Sequence, residues 1–169
     1  MKGYYEFMEG KPVSVHIAEI EQPDVPLWAI WALQQYAKET SKEECFKKYG
    51  QFIKDVISFI QGNKHPNLKL EENGLLYTDG KDKAVTWMNS TANGRPVVPR
   101  TGYIVEFNAL WYNALCFCAS LAATVGEEDS QQKLLAQAEK TKQAFLDTFL
   151  NEYGYQIGRA CGGRVSSPV

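Results

Sequence analysis

Histidine is scarce in this sequence, and the groupings that many enzymes build around it are missing. The 169 residues include 2 histidines, His16 and His65, and neither stands in a pattern with a serine or cysteine nucleophile, which argues against triad chemistry. The 4 cysteines lack the spacing of a zinc site. The segment Asn93-Gly94-Arg95 lacks the glycines and the lysine of a phosphate-binding loop. We therefore expect neither a metal nor a cofactor.

Charge and hydrophobicity exclude further classes of protein. The formal net charge is −2, and both signs are mixed along the chain without a basic stripe, so nothing favours nucleic acid as a partner. No run approaches the ~18 apolar residues of a membrane helix, and the first residues lack the apolar core of a signal peptide. The cysteines are expected to be buried free thiols in a reducing compartment. These patterns predict a cytoplasmic protein that binds no membrane.

What the sequence does carry is helical periodicity, with enough apolar residues (44%) in one domain's length to bury a core. Four helices are predicted. They run from a cap at Asp24 to about Thr40, from the capping box Ser41-x-x-Glu44 to about Gln61, from about Ile104 to Val125, and from a cap at Asp129 or Ser130 to about Leu150. Their apolar faces include Leu27, Ile30, Trp31, Gln34 and Ala37 in the first helix, and Leu134, Leu135, Ala138, Ala144, Phe145 and Phe149 in the fourth.

Between the two helix pairs lies a segment rich in turn residues. Asn73-Gly74 separates the apolar runs 68–70 and 75–77, which predicts a small β-hairpin. A long loop then runs from Asp79 to about Gly102, and loops of that length are usually functional. Residues 1–23 form a lead-in with a short strand predicted at 13–17, and Tyr153-Gly154-Tyr155 could begin another strand or a loop. Two α/α hairpins joined by such a loop predict an all-α toroid or solenoid.

The long loop and the helix after it gather groups that suit a neutral, polyhydroxylated ligand. Indoles at Trp87 and Trp111 offer flat apolar faces, while Asn89, Arg100 and Glu106 offer hydrogen bonds to hydroxyl groups. Structural roles compete with this interpretation. Asp24 and Glu106 could serve as caps or dipole partners at helix N-termini, Asp79 and Asp82 as solvated loop charges, Trp87 and Trp111 as core residues, and Arg100 as the ion-pair partner of Glu106.

At this point the residues resemble a known family. The segments Thr86-Trp87-Met88-Asn89, Pro99-Arg100-x-Gly102 and 105–115 are similar to Thr-Trp-Met-Asp, Pro-Arg-x-Gly and Val-Glu-Ile-Asn-Ala-Leu-Trp-Tyr-Asn-Ala-Leu of the amylo-α-1,6-glucosidase domain of glycogen debranching enzymes. Asp24-Val25-Pro26-Leu27-Trp28 and Asn73-Gly74-Leu75-Leu76 resemble two further family motifs. The resemblance covers roughly residues 15–155.

The resemblance implies a glucoamylase-like six-hairpin (α/α) toroid, of which this chain carries a part. It implies hydrolysis, with inversion, of α-1,6-linked glucose at glycogen branch points, with an α-glucan such as glycogen or a limit dextrin as partner. The implied domain is 1–155, and 156–169 is an atypical tail for which no order is predicted. The implied catalytic positions are Asn89, where the family has its general acid, and Glu106. The implied substrate-binding residues are Asp24, Trp28, Trp87, Arg100, Asn108 and Trp111.

Two departures from the family pattern bear on activity. Asn89 carries a carboxamide, which cannot deliver a proton, so either a neighbouring carboxyl such as Asp79 or Asp82 takes the role or the chain is impaired. Four helices instead of twelve, with the general base expected much further along the family's chain, predict a fragment without turnover whose exposed helix faces promote self-association. The competing hypotheses are a non-catalytic α-glucan-binding module or pseudoenzyme, and a structural α-helical interaction domain.

Overall fold

A computed structural model of the chain describes residues 22–150 and the backbone of 159–160. The strand predicted at 13–17, the strand at Tyr153–Tyr155, His16 and Cys161 lie outside these residues. The first described element is helix α1, Val25–Glu39, which opens with Pro26 in its first turn. Asp24 occupies the N-cap position, but its side chain makes no capping hydrogen bond. The predicted capping role of that carboxylate is therefore wrong, because the group is engaged elsewhere.

Helix α2, Lys42–Gln61, follows after a two-residue connection and forms an α/α hairpin with α1, as predicted. Ser41 Oγ accepts a hydrogen bond from the backbone N–H of Glu44 at 3.1 Å. Only this half of the capping box forms, since the Glu44 carboxylate bonds to the hydroxyl of Tyr36 and the ammonium of Lys48 instead. Gly62 ends the helix at the predicted position.

Helices α3, Val105–Thr124, and α4, Glu128–Phe149, form the second α/α hairpin and pack closely on each other. Gly126 makes the turn between them at a φ of 76°, a conformation that favours glycine. Helix α4 begins earlier than predicted, with Glu127 at the N-cap position, because the chain turns back immediately at Gly126. Asp129 lies inside the first turn, where a negative charge is favourable without capping.

Five of the six described strands lie between the two hairpins along the chain, and the sixth follows the second hairpin. Strands β1, Leu68–Leu70, and β2, Leu76–Thr78, pair antiparallel in the register Leu70↔Leu76, and Gly74 takes a φ of 91° in their turn. The predicted β-hairpin is thus confirmed. The remaining strands are β3 (Thr91–Ala92), β4 (Arg95–Pro96), β5 (Gly102–Ile104) and β6 (Arg159–Ala160).

Strands β1, β2, β5 and β6 form one antiparallel sheet in that order, while β3 and β4 form a separate ribbon in the long loop. The ribbon turns at Asn93 and Gly94, which both have positive φ, as a two-residue hairpin turn requires. Strand β6 pairs with β5 in the register Tyr103↔Ala160. The tail predicted from residue 156 onward therefore contains two residues that extend this sheet, and the domain boundary at 155 stays a prediction.

Helices α1, α2 and α3 enclose the main core, and α3 supplies its largest side chains. The apolar faces predicted for α1 and α4 need two corrections: Trp31 is 45% exposed and Leu135 is 46% exposed. Both lie at the edge of their helix's apolar stripe, beyond the width that the neighbouring helices cover. The predicted all-α fold class, with two α/α hairpins, a site loop and a small β-hairpin, is confirmed. None of the described helices has the length and apolarity that crossing a membrane requires.

Candidate functional site

An ion pair between Arg100 and Glu106 lies where the long loop enters α3. Arg100 Nη2 contacts Glu106 Oε1, and Arg100 Nη1 donates to the sulfur of Met88 at 2.8 Å. Both charged side chains are largely shielded from solvent. The alternative role predicted for Arg100, as the partner of Glu106, is confirmed. The guanidinium also ties the two arms of the loop together, because Met88 lies on one arm and Arg100 on the other.

Two hydrogen bonds from strand β2 and the start of the long loop fix the chain at positions 100 and 101. The hydroxyl of Thr78 donates to the carbonyl oxygen of Arg100 at 2.8 Å, and the N–H of Gly80 donates to the hydroxyl of Thr101 at 3.1 Å. A Cβ atom at Gly80 would lie 2.6 Å from the Arg100 oxygen and 2.8 Å from its nitrogen. Any larger residue at 80 would therefore displace the chain that carries the guanidinium.

Asp24 connects the start of α1 to the same loop. Its Oδ2 accepts a hydrogen bond from the backbone N–H of Trp87 at 2.9 Å, and the side chain is buried. Burial raises the pKa of the Asp24 carboxyl above its ordinary value, and the negative charge of Glu106 adds to this rise, while the N–H of Trp87 and the side chain of Trp28 oppose it. Trp28, Trp87 and Glu106 thus all lie close enough to act on one carboxyl.

Two buried polar atoms of this cluster lack a hydrogen-bond partner among the described residues. They are Asp24 Oδ1 and Arg100 Nε. Buried polar groups are nearly always paired with protein or with ordered water, and the exceptions concentrate at functional sites. The two atoms belong to the N-cap residue of α1 and to the loop before α3. Each side of the cluster therefore has one buried polar atom without a partner among the described residues.

Trp87 and Asn89 project from the loop segment that Asp24 and Arg100 hold. The Trp87 side chain is 62% exposed, so the alternative of a core role for this residue is wrong. The segment is anchored beneath it by Thr86, which is buried and whose hydroxyl accepts the N–H of Met88 at 3.2 Å. Asn89 is exposed, and among the described residues its carboxamide makes no hydrogen bond.

Asn108 and Trp111, which the family resemblance places among the substrate-binding residues, lie in the interior. Asn108 is completely buried, and its amide bonds to both backbone groups of Leu76 and to the carbonyl of Ile104 at 2.6–3.1 Å. Trp111 is also completely buried, which fits its alternative role as core. Neither residue presents a surface to a ligand, so both lie outside the candidate site.

The other carboxyls weighed for the acid role lie elsewhere on the loop. Asp79 is exposed and accepts the backbone N–H of Lys81 at 3.3 Å, and Asp82 is exposed as well. The carboxyl that the structure attaches to the Trp87 segment is Asp24. Sequence reasoning gave Asp24 a cap or a substrate contact and missed its bond to Trp87, as it missed the contact of Met88 with Arg100. One hint of these two contacts is present in the sequence, which is that all four residues lie in segments resembling the family motifs.

The grouped residues supply acceptors, donors and an exposed indole, and no feature of a metal centre: within the described residues, no three His, Cys, Asp or Glu side chains come together to hold an ion. Carboxylate and guanidinium groups bond hydroxyls, and an indole face packs on an apolar ring face. The arrangement can hold a neutral polar ring. The carboxamide at position 89 can hold an oxygen atom of such a ligand but has no acidic proton to give.

Comparisons with known proteins bear on the identity of this site. A family model described as amylo-alpha-1,6-glucosidase matches residues 16–161, which is most of the chain. Searches of curated proteins and of solved structures found no match. The matched range includes every candidate site residue from Asp24 to Trp111. By this match, the chain belongs to the amylo-alpha-1,6-glucosidase family.

Proposed function

We propose that the chain forms one wall of a glucan-binding cleft, the wall that carries the proton-donor position in an enzyme hydrolysing α-1,6-linked glucose at glycogen branch points with inversion. The partner is an α-glucan such as glycogen or a limit dextrin. The cytoplasmic location and the self-association predicted from the sequence are part of the same proposal.

One observation carries this proposal: a single network joins two helix N-termini to the exposed Trp87. Asp24, at the start of α1, binds the backbone N–H of Trp87. Arg100 contacts Met88 next to it and Glu106 in the first turn of α3. A surface tryptophan without a function would need no such support. Holding an indole and polar groups in fixed positions is what recognition of a sugar ring requires.

Hydrolysis needs more than this wall provides. Inverting glycosidases use one carboxylic acid to protonate the leaving oxygen and one carboxylate to activate water. The position of the family acid holds Asn89, and Glu106 is occupied by Arg100. In our proposal Glu106 and Arg100 orient the sugar, Trp87 packs on its ring, and Asn89 bonds one of its oxygens. The isolated chain then binds glucan without turnover.

The test combines binding and hydrolysis on the full chain. We expect maltooligosaccharides to bind, with a change in tryptophan fluorescence, and Trp87→Ala to weaken binding about tenfold. Leu135→Ala, which trims a side chain of 46% exposure on α4, is the matched control and should bind normally. Glucose release from a phosphorylase limit dextrin should be undetectable. Robust release abolished by Glu106→Gln would refute the inactive state, and absence of any glucan binding would refute the proposal.

A second function, a dedicated non-catalytic glucan-binding module, is favoured by Asn89 alone. The two functions would differ in a longer protein, here called the parent, that contained this chain together with a general base. If the parent with aspartate restored at position 89 releases glucose and the parent with Asn89 does not, the module is a disabled glycosidase. Binding without hydrolysis in both would favour the dedicated module.

A further inference from the structure

A cavity of about 320 Å³ opens between α2 and α4, away from the proposed glucan site. Both helices pack on α3, which forms the floor of the cavity with Cys118, Leu121 and Ala122. Cys118 lies twelve residues after Glu106, which is about 18 Å along the axis of α3. The described residues that line the cavity include none from the network around Trp87. The cavity is therefore a second concave surface, which the proposed function does not use.

The interior of this cavity is apolar. Its floor and walls come from side chains that are buried or half-buried: Ile53, Ile57, Cys118, Leu121, Ala122 and Leu134. Burial raises the pKa of the Cys118 thiol to about 12, so this group stays uncharged at neutral pH. An apolar cavity of about 150 Å³ takes one benzene ring. The larger volume here suits an apolar body of about two to three rings, or an acyl chain of similar size.

Two polar bridges join α2 to α4 across the cavity. In one, Lys54 Nζ donates to Glu127 Oε1 at 2.6 Å and lies 5.0 Å from the centre of the Phe46 ring. In the other, Gln61 Nε2 donates to Gln137 Oε1 at 2.7 Å. The bridges are seven residues apart on α2, which is about 10 Å along its axis. A peptide helix laid between α2 and α4 would have to break both bridges, whereas a small molecule fits between them.

The mouth of the cavity is polar and carries one more positive than negative charge. Ser58, Ser130 and Lys133 line it and are exposed. The charge of Lys54 is already paired with that of Glu127. Lys133 forms no ion pair within the part of the chain that the structure describes, so its ammonium is available to an anion. The two serine hydroxyls can donate hydrogen bonds to the same anion.

We propose that this cavity binds a small amphipathic anion. Its apolar body packs on the floor that α3 provides, and its carboxylate or sulfonate group binds Lys133. This inference goes beyond glucan recognition and does not rest on the proposed function. A second copy of the chain fits the cavity less well, because a stable dimer buries about 800 Å² per partner, far more than an opening about 10 Å long presents.

The test uses anilinonaphthalene sulfonate, an aromatic anion whose fluorescence reports binding to apolar surface. One dye should bind per chain, and phenylnaphthylamine, which has the same rings without the sulfonate, should bind more weakly. Lys133→Gln should lower the dye affinity about two- to fivefold, the effect of one exposed ion pair, and leave the affinity for phenylnaphthylamine unchanged. Lys140→Gln, on the same helix but outside the cavity lining, is the matched control and should bind as the native chain does.

A second variant and a competition experiment complete the test. Ser58→Phe places an aromatic ring at the exposed mouth of the cavity and should abolish binding of both probes. Displacement of the dye by decanoate would identify an acyl anion as the preferred ligand, and displacement by naphthoate an aryl anion. Displacement by neither would refute the proposed class of ligand.

The remaining outcomes also contradict the proposal. If Lys133→Gln weakens both probes equally, or if Ser58→Phe leaves dye binding intact, the dye binds elsewhere on the surface and the proposed site is refuted. If neither probe binds the native chain, another part of the chain or a second copy covers the cavity, and the proposal fails. Maltooligosaccharide binding is measured separately, so each of these results leaves the proposed function standing.

Discussion

The loop segment around Trp87 and the first turns of α3 carry the same two residue types in opposite environments. Trp87 and Asn89 are exposed on the loop, whereas Trp111 and Asn108 are completely buried. The difference lies in what supports each segment. Helix α3 is enclosed by α1, α2 and α4, while the loop segment at Trp87 is attached to the protein on one side, where Asp24 and Arg100 bind it.

An indole and a carboxamide thus serve packing on α3 and remain exposed on the loop. On α3 the carboxamide of Asn108 replaces the hydrogen bonds that the hairpin backbone would otherwise lose, and the indole of Trp111 fills the core. On the loop the side chains of Trp87 and Asn89 make no hydrogen bond among the described residues and stay available to a ligand. A tryptophan and an asparagine near a site are therefore weak evidence of function until their burial and partners are known.

The largest expected effect is a difference in folding stability between truncation of the buried Trp111 and truncation of the exposed Trp87. Trp111→Ala should lower the free energy of unfolding by about 3–5 kcal/mol, because it leaves a cavity in the main core. Trp87→Ala should change it by no more than about 0.5 kcal/mol, since the side chain is 62% exposed. Urea denaturation of both variants measures this. Similar losses would mean that Trp87 is packed in solution, and the contrast between the two segments would disappear.

The two asparagines should differ by a somewhat smaller amount. Asn108→Ala should cost about 3 kcal/mol, because it leaves the buried backbone N–H and carbonyl of Leu76 without hydrogen bonds. Amide exchange at Leu76 should also become faster, since its N–H donates to Asn108. Asn89→Ala is the matched control and should leave stability and exchange unchanged. A stable Asn108→Ala variant would show that water or a shifted hairpin satisfies those groups.

Short-range sequence signals were sufficient to predict several helix ends and the turn of the first β-hairpin. Ser41 caps α2, Gly62 and Gly126 end helices, and Asn73-Gly74 turns the first hairpin, each through an interaction with residues a few positions away. Such signals are readable because the groups that they satisfy are adjacent in sequence. The ribbon at Asn93-Gly94 carries the same type of signal, yet its strands are only two residues long and show no alternation.

The site could be predicted only as a set of residue types, because its geometry depends on contacts between distant positions. Asp24 binds a backbone group 63 residues away, and Asn108 one 32 residues away. Propensity and periodicity say nothing about such pairs. The family-like segments predicted Trp87, Arg100 and Glu106 as neighbours, but they could not separate the buried Asn108 and Trp111 from the exposed Trp87 and Asn89.

The smallest expected effect is a pH dependence of stability that comes from Asp24, the residue that binds the loop at Trp87. Burial raises the pKa of the Asp24 carboxyl, so the folded state holds this proton more tightly than the unfolded state, where the pKa is near its ordinary value of 3.8. The resulting stabilisation is present below the unfolded-state pKa and is lost as the pH rises through the raised value. Asp24→Asn removes the titration and keeps an oxygen that accepts the N–H of Trp87.

Denaturation of the native chain and of Asp24→Asn across about pH 3 to pH 8 measures this difference. The native chain should lose stability relative to the variant as the pH rises above the ordinary carboxyl value, and the difference should level off above the raised pKa. Asp82→Asn, on the exposed part of the loop, removes the same charge and serves as the control for net charge alone. A relative gain by the native chain with rising pH would mean that the ionised carboxylate is the better support for Trp87. The two sides of the site would then be held in the same way, by a charged carboxylate at each helix start, and the distinction between a shielded Asp24 and an ion-paired Glu106 would have to be abandoned.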